Sequence, residues 1–523
     1  MKHNRLFLLI ALLPMLGTLQ AQTSYEAAAL LDSDLSGTAR YVGMGGAMSA
    51  LGADMSTMGT NPAGTALYRR WDAAFSFGGN WVTQHTRSAS NHGRVFSSYG
   101  SFDNAGLVVA NKQSNNGVLR FVNFGFNYRN VKRFGGKMGM ASNLGGLSQT
   151  GQMAWQAYEN SEVFAEDFDA SDPIGFFQTN YYKDNRFGWL TLMGAQGYLI
   201  DASAKDFGSY YPSVSNSYSE KLSGDIDAYD FNLSFNFSDA VYFGVTFTTY
   251  DVDRHLVSTY SEEFEDGSTY TLDNYYRTVG SGYDFKFGVI VRPLASSFRL
   301  GVSVTTPTVY SLYDYNSAVL NSNIWLTDGD GNTWLEPIEV DTYSSAALGG
   351  DCLTSYTMTA PSKFNVSLGG TLGTSWALGA EYEYTNYGNI KLYDDRGMEN
   401  TVMNTHTSSN FAGRHTLRLG AEKTFGTFYT RAGYNYQAGG YKDSSWKMIP
   451  VNSVQTNTAY TNIEQTHNLT CGVGYRGDIF YVDAALLYSM QSAAFYPFDD
   501  PELSATSLHR NLAKGMMTLG VRF

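Results

Sequence analysis

Cysteine is almost absent. Cys352 and Cys471 are the only two in 523 residues, so no disulfide framework holds the fold, and a redox centre or zinc cluster lacks donors. Long apolar runs are missing too: beyond the first two dozen residues nothing matches the roughly 20-residue uncharged stretch of a membrane helix, which excludes a helical membrane protein. Charge is sparse and one-sided, with 16% charged residues and a formal net charge of -13, an acidity that argues against nucleic-acid binding. The eight histidines include no pair at metal spacing. No Gly-x-Ser-x-Gly elbow occurs, and Gly43-Met44-Gly45-Gly46 lacks the strand that precedes a dinucleotide site. The chain is therefore expected not to be an enzyme and to need no cofactor.

What is abundant is aromatic and small: 38 Tyr, 32 Phe and 54 Gly, at a mean hydropathy of -0.25. That balance suits strands that are apolar on one face only. Met1 to Arg5 is basic, Leu6 to Leu16 is apolar, and Leu19-Gln20-Ala21 is small-ended, the order of a secretory signal peptide cleaved after Ala21. Losing Lys2 and Arg5 takes the charge to -15.

Period-2 alternation recurs through the remaining sequence. Val122, Phe124, Phe126 and Tyr128 oppose Asn123, Gly125, Asn127 and Arg129, and Val241, Phe243, Val245 and Phe247 oppose Tyr242, Gly244, Thr246 and Thr248. Such runs place strands at 73–83, 104–112, 118–131, 224–237, 240–253, 275–292, 297–311, 354–371, 374–388, 412–424, 426–438, 466–476, 478–490 and 512–523. Every second connection is tiny, and the others, at 84–103, 132–223, 254–274, 312–353, 389–411, 439–465 and 491–511, are long and polar. An even strand count with short and long connections on opposite rims is the pattern of an outer-membrane β-barrel. The last strand sets Met517, Leu519, Val521 and the terminal Phe523 on one face, and such an ending resembles the signal read by the barrel-assembly machinery.

Before the first strand, a stretch rich in small residues contains Gly43, Gly45 and Gly46, and then Asn61-Pro62-Ala63-Gly64. Asn-Pro favours a turn and the glycines allow close backbone approach. With Gly301 to Tyr310, Thr359 to Leu368, Glu381 to Tyr387 and Arg431 to Tyr434, this segment resembles the FadL/TodX family of hydrophobic-compound transporters, some members of which are labelled hemin receptors. The resemblance implies a signal peptide at 1–21, a lumenal hatch at 22–72 and a fourteen-stranded barrel at 73–523. It also implies a monomer in the bacterial outer membrane, in contact with lipopolysaccharide, that takes up apolar ligands such as long-chain fatty acids through a lateral gap. The segment 132–223, with Trp155, Phe164, Phe168, Phe176 and Phe177, is the candidate external catching surface, or an aromatic loop packed on itself. A general porin, a heme-uptake protein using His85, His92, His255 or His406, and a surface adhesin are the alternatives.

Two further motifs are weighed. Asp328, Asp330 and Asn332, with Glu339 eleven residues after Asp328, follow the oxygen spacing of a calcium loop, although Thr333 stands where that loop needs glycine; a plain acidic turn is the competing reading. Arg476-Gly477-Asp478 is read as a tight hairpin turn.

Overall fold

The computed structural model describes residues 21–523 except 89, 161–180, 185, 201–211, 294–295 and 346–347; the expected signal peptide, but for Ala21, lies outside the described residues. Alternation folds as anticipated into fourteen antiparallel strands. They are β1 Asp72–Arg87, β2 His92–Lys112, β3 Leu119–Arg133 with its continuation Gly136–Ser142, β4 Ser213–Phe237, β5 Val241–Phe264, β6 Thr269–Val291, and β7 Phe298–Thr305 with Val309–Thr327. Then follow β8 Cys352–Thr359 with Lys363–Leu372, β9 Trp376–Asn386, β10 Gly413–Phe425, β11 Phe428–Ala438, β12 Tyr460–Arg476, β13 Phe480–Tyr496 and β14 Thr506–Arg522. β14 returns to β1 in register from Asp72↔Arg522 to Arg87↔Ser507, so the sheet closes and has no terminal edge.

Outward positions are apolar and exposed, among them Phe77, Trp81, Phe124, Val302, Val366, Val473 and Leu486. Inward positions on the same strands are polar, with Asn123, Asn127, Asp230, Thr246 and Thr248 at 0% exposure. Apolar clusters are set among these polar groups: around Tyr25, Tyr356, Phe411 and Tyr460, above them around Trp189, Tyr260 and Phe495, and deeper, where the segment before β1 packs, around Tyr41, Met44 and Leu487 and around Ala63, Tyr242 and Ile290.

The expected external loops at 84–103 and 254–274 are mostly strand, because β1–β2 and β5–β6 run on as hairpins turning at 88–91 and 265–268. Beyond the apolar layer both faces of a strand can be wet, so polarity there does not mark a loop. The segments 312–353 and 439–465 are likewise partly strand, and Thr333–Asp341 pairs back onto β7. Among the described residues five helices, α1 Ser24–Leu31, α2 Ala39–Gly43, α3 Gln149–Glu159, α4 Trp189–Gln196 and α5 Thr401–Asn410, lie in the lumen or at its external mouth.

Candidate functional site

Residues 22–71 thread the lumen before β1 begins. Their seat is a ring of wall glycines. A Cβ on Gly433 would stand 2.2 Å from Gly45 N, on Gly420 2.3 Å from Met44 O, on Gly379 2.1 Å from Ala47 O, and on Gly244 2.4 Å from Pro62 C. Gly369↔Gly379, Gly379↔Gly420 and Gly420↔Gly433 are direct cross-strand partners, so the ring is continuous across β8 to β11. From the other side, Gly45 is left-handed (φ 61°) and would clash with Tyr434 N if it carried a side chain; Gly46 (φ 81°) lies against Arg418 and Leu35, and Gly43 lies against Gly472. Backbone packed on backbone is what the absence of Cβ atoms permits.

The motif Asn61-Pro62-Ala63-Gly64 starts a 3-10 helix, Pro62–Leu67. Asn61 caps it by accepting from Ala63 N at 3.1 Å. Its other amide atom, Nδ2, is buried without a partner among the described residues, beside the positions where Gly288 and Gly301 leave room. The helix is held by Asn123, which donates to the carbonyls of Thr65 and Tyr68, and by Asn232, which donates to that of Pro62. Arg40 makes a two-pronged pair with Glu422 at 3.0 Å on each arm. Glu422 also takes Arg431 at 2.7 Å, and Arg431 reaches Asp483 at 2.6 Å. Pairing of this kind offsets the cost of taking these charges out of water.

The wall is not uniformly bonded. β2 and β3 pair from Lys112↔Phe121 to Asn104↔Arg129; beyond that, residues 92–103 pair only with β1, and Gly136–Ser142 pairs only with β4. Just above the break the inner segment takes over the vacated edge. Asp34 N donates to Val131 O at 2.9 Å, Arg133 N donates to Asp34 Oδ2 at 3.1 Å, and Lys132 bridges Asp32 and Asp34 at 3.0 Å each. Burial alone would raise the Asp32 carboxyl, but Lys132 and Arg414 outweigh it and hold it well below the usual carboxylate range. Higher still, the wall is interrupted at Phe134-Gly135, where the Tyr99 ring covers Gly135.

Behind that interruption lies a cavity of about 210 Å³ between α1 and the wall, lined on its apolar side by Tyr25, Phe134, Leu222, Leu256, Tyr460 and Phe495 and elsewhere by charged groups that include Glu26, Glu220, Arg254 and Arg414. A dry cavity of roughly 150 Å³ already accepts a benzene ring. One cation on its wall stands apart. Arg254 is 6% exposed, its guanidinium lies 5.6 Å from the Phe134 ring and 5.8 Å from Tyr276, and its Nε and Nη1 donors have no partner among the described residues. Neither this arginine nor the ladder break is visible as a sequence motif, since both depend on which strands meet.

The other sequence-derived candidates are scattered. Trp155 and Tyr158 lie on the exposed side of α3, while Met153 and Ala157 are buried against a cluster containing Trp189 and Met193 of α4. Phe164, Phe168, Phe176 and Phe177 lie outside the described residues. The calcium arrangement does not form: Asp328 accepts from Asp330 N, Asn332 N and Asn332 Nδ2 at a hairpin tip, whereas Glu339 is six positions along the following strand, opposite Asn321. At about 3.3 Å per residue that is some 20 Å from the tip, and the described residues contain no group of three such ligands. His85 and His92 sit on the first hairpin, His255 pairs with Asp253 at 2.9 Å, and His406 is buried under Trp446, so the histidines do not converge. Phe523 exchanges backbone hydrogen bonds with Trp71 at 3.0 and 3.2 Å, and its ring lies 5.7 Å from that indole. Gly477 N donates to Phe480 O in the β12–β13 turn. Cys352 is buried at the head of β8, and Cys471 is exposed on β12, four strands away; both are free thiols.

No family model and no curated protein matches the chain. Among solved structures it is similar to a Pseudomonas aeruginosa FadL homologue (12% identity, 94% of this chain and 98% of that one, TM-score 0.48). It is also similar to the P. putida toluene transporter TodX (11%, 94% and 99%, 0.47) and the Ralstonia pickettii toluene transporter TbuX (12%, 94% and 99%, 0.46).

Proposed function

We propose that this barrel sits in the bacterial outer membrane and lets hydrophobic small molecules, in particular acids with a long apolar tail, pass inward without energy input. The observation that carries the reading is the cavity set directly behind the broken β2–β3 ladder, where apolar side chains alternate with charged ones and the Arg254 Nε and Nη1 donors are without a partner among the described residues. An apolar tail gains by leaving water for Tyr25, Leu222 and Phe495. A carboxylate offered to Arg254 gains a charge-assisted hydrogen bond that burial strengthens. The way out is sideways, past Tyr99 and Gly135, because the route along the axis is filled by 22–71, which acts as a hatch. That filling also argues against an open porin. The reading needs no catalytic step, metal or cofactor.

The test compares a labelled long-chain fatty acid with the alcohol of equal length. Arg254→Met keeps an unbranched side chain beside Phe134 and removes the charge. Acid binding is expected to weaken by about tenfold to a hundredfold, in line with roughly 1.5–3 kcal/mol for a hydrogen bond to a charged group, with alcohol binding little changed. Equal loss of both, or of neither, removes the acid from the proposal.

A further inference from the structure

The outward face of the sector β13–β14–β1–β2 has an unusual charge balance for a protein this acidic. These four strands contain three acids, Asp72, Asp103 and Asp483, all at 0–1% exposure. Each is turned inward and paired, with Arg522, Lys514 and Arg431 respectively. Outward, the register builds two basic rows: His509, His85 and Arg94 stand side by side, and in the next row Ser507, Arg87 and His92. Arg87, Arg94, His92 and His509 are exposed and His85 is half-buried. No carboxylate among the described residues answers the two guanidiniums. Elsewhere on the wall such a cation is used up locally, as Arg277 is on Asp253 at 3.1 and 3.2 Å.

Depth sets what these rows can meet. About 9–11 tilted residues cross the apolar layer, which on β1 takes Ala73 to Thr83. Trp81 (50% exposed) and Phe96 (59%) mark its outer edge in the manner of an aromatic girdle. The basic rows begin two residues further out, where lipid headgroups lie.

We propose that this sector binds the phosphorylated headgroup of an outer-leaflet glycolipid of the lipopolysaccharide type. Its phosphate would be held between Arg87 and Arg94, His85 and His509 would add hydrogen bonds, and its acyl chains would lie along Phe77, Trp81 and Phe96. Arg87 and Arg94 are diagonal neighbours on adjacent strands, about 7–8 Å apart at their bases, a gap that two arginine side chains can close on one phosphate, which the guanidinium suits well. The site rests on the outer-membrane placement and not on what the lumen carries.

The test uses the full-length barrel in non-ionic detergent and native mass spectrometry, with bisphosphorylated lipid A and the same lipid stripped of phosphate as probes. Wild type is expected to retain lipid A at least tenfold better than the stripped lipid. Arg87→Ser with Arg94→Ser should abolish that preference, while Lys423→Ser, which removes a cation lying over Trp376 on β10, should keep it. Equal retention of the two lipids by wild type, or an undiminished preference in the double variant, overturns the proposal. So does a dimer in the spectra that the double substitution dissolves, because the face would then be covered by a second copy. If the double variant does not fold, the wild-type comparison of the two lipids still decides. Transport is not read, so failure here and failure of the uptake reading remain separate.

Discussion

Gly433 shows how much can hang on a missing methyl group. Its inward face touches Gly45 N and Met44 C, so any side chain there must displace the inner segment or bend β11. The segment is the softer partner, because β11 is bonded on both sides, to β10 and β12. Gly433→Leu is therefore expected to leave the amount of heat-modifiable barrel near wild type and to raise ion conductance in planar bilayers from near zero to a measurable level. Unchanged conductance would mean that the ring is not what seats the inner segment. Asn61→Leu acts at the same level through a lost cap and an unpaired Ala63 N–H, at a cost of roughly 1–3 kcal/mol, and should give a smaller increase. The wall glycines are visible in the sequence as the small members of alternating strands. Their purpose is not, since it depends on a partner hundreds of positions away, as does that of Arg40, whose carboxylate partner is Glu422.

At the scale of elements, sequence served best where one face is greasy and the other is not, and this located all fourteen strands. It served worst above the membrane, where β5 runs on to Phe264 with both faces decorated by polar groups. That extension carries Glu262, which receives Gln149 N at 2.8 Å and Ser148 Oγ at the start of α3. Burial raises its carboxyl, against the pull of those hydrogen bonds, to about 7. A carboxyl that is neutral in the docked state and ionised in the undocked one contributes most below its ordinary value of 4.5. That contribution falls as pH rises toward 7 and is flat above. Docking of α3 should thus be weaker at pH 8 than at pH 5. Hydrogen exchange over Gln149–Glu159, corrected for intrinsic rates, should show the slope in wild type and lose it in Glu262→Gln. A slope of equal size in both would assign it to another group.

For the whole molecule, the question is which way a ligand leaves, and the structure supplies a lock that separates the two answers. An axial exit requires the inner segment to move; a lateral exit between β2 and β3 does not. Gly43 and Gly472 face each other so closely that a Cβ on either would lie 3.5 Å from the other's Cα, which makes them the pair to test for a disulfide, whose Cβ atoms stand roughly 3.5–4.5 Å apart. Gly43 also has no left-handed backbone angle to forbid a side chain. With Cys352 and Cys471 first changed to Ser, so that the adjacent native thiol cannot compete, Gly43→Cys with Gly472→Cys should oxidise to a bridge fastening the inner segment to β12. The lateral route predicts the same fatty-acid uptake with the bridge closed or reduced, and reduced uptake when the β2–β3 break is obstructed by Gly135→Trp beneath Tyr99. The axial route predicts the reverse: uptake that falls on oxidation, returns with reductant, and ignores residue 135. Heat-modifiability of each variant checks that the barrel itself, closed by the β1–β14 ladder, is intact, so that a change in uptake reports on the route and not on folding.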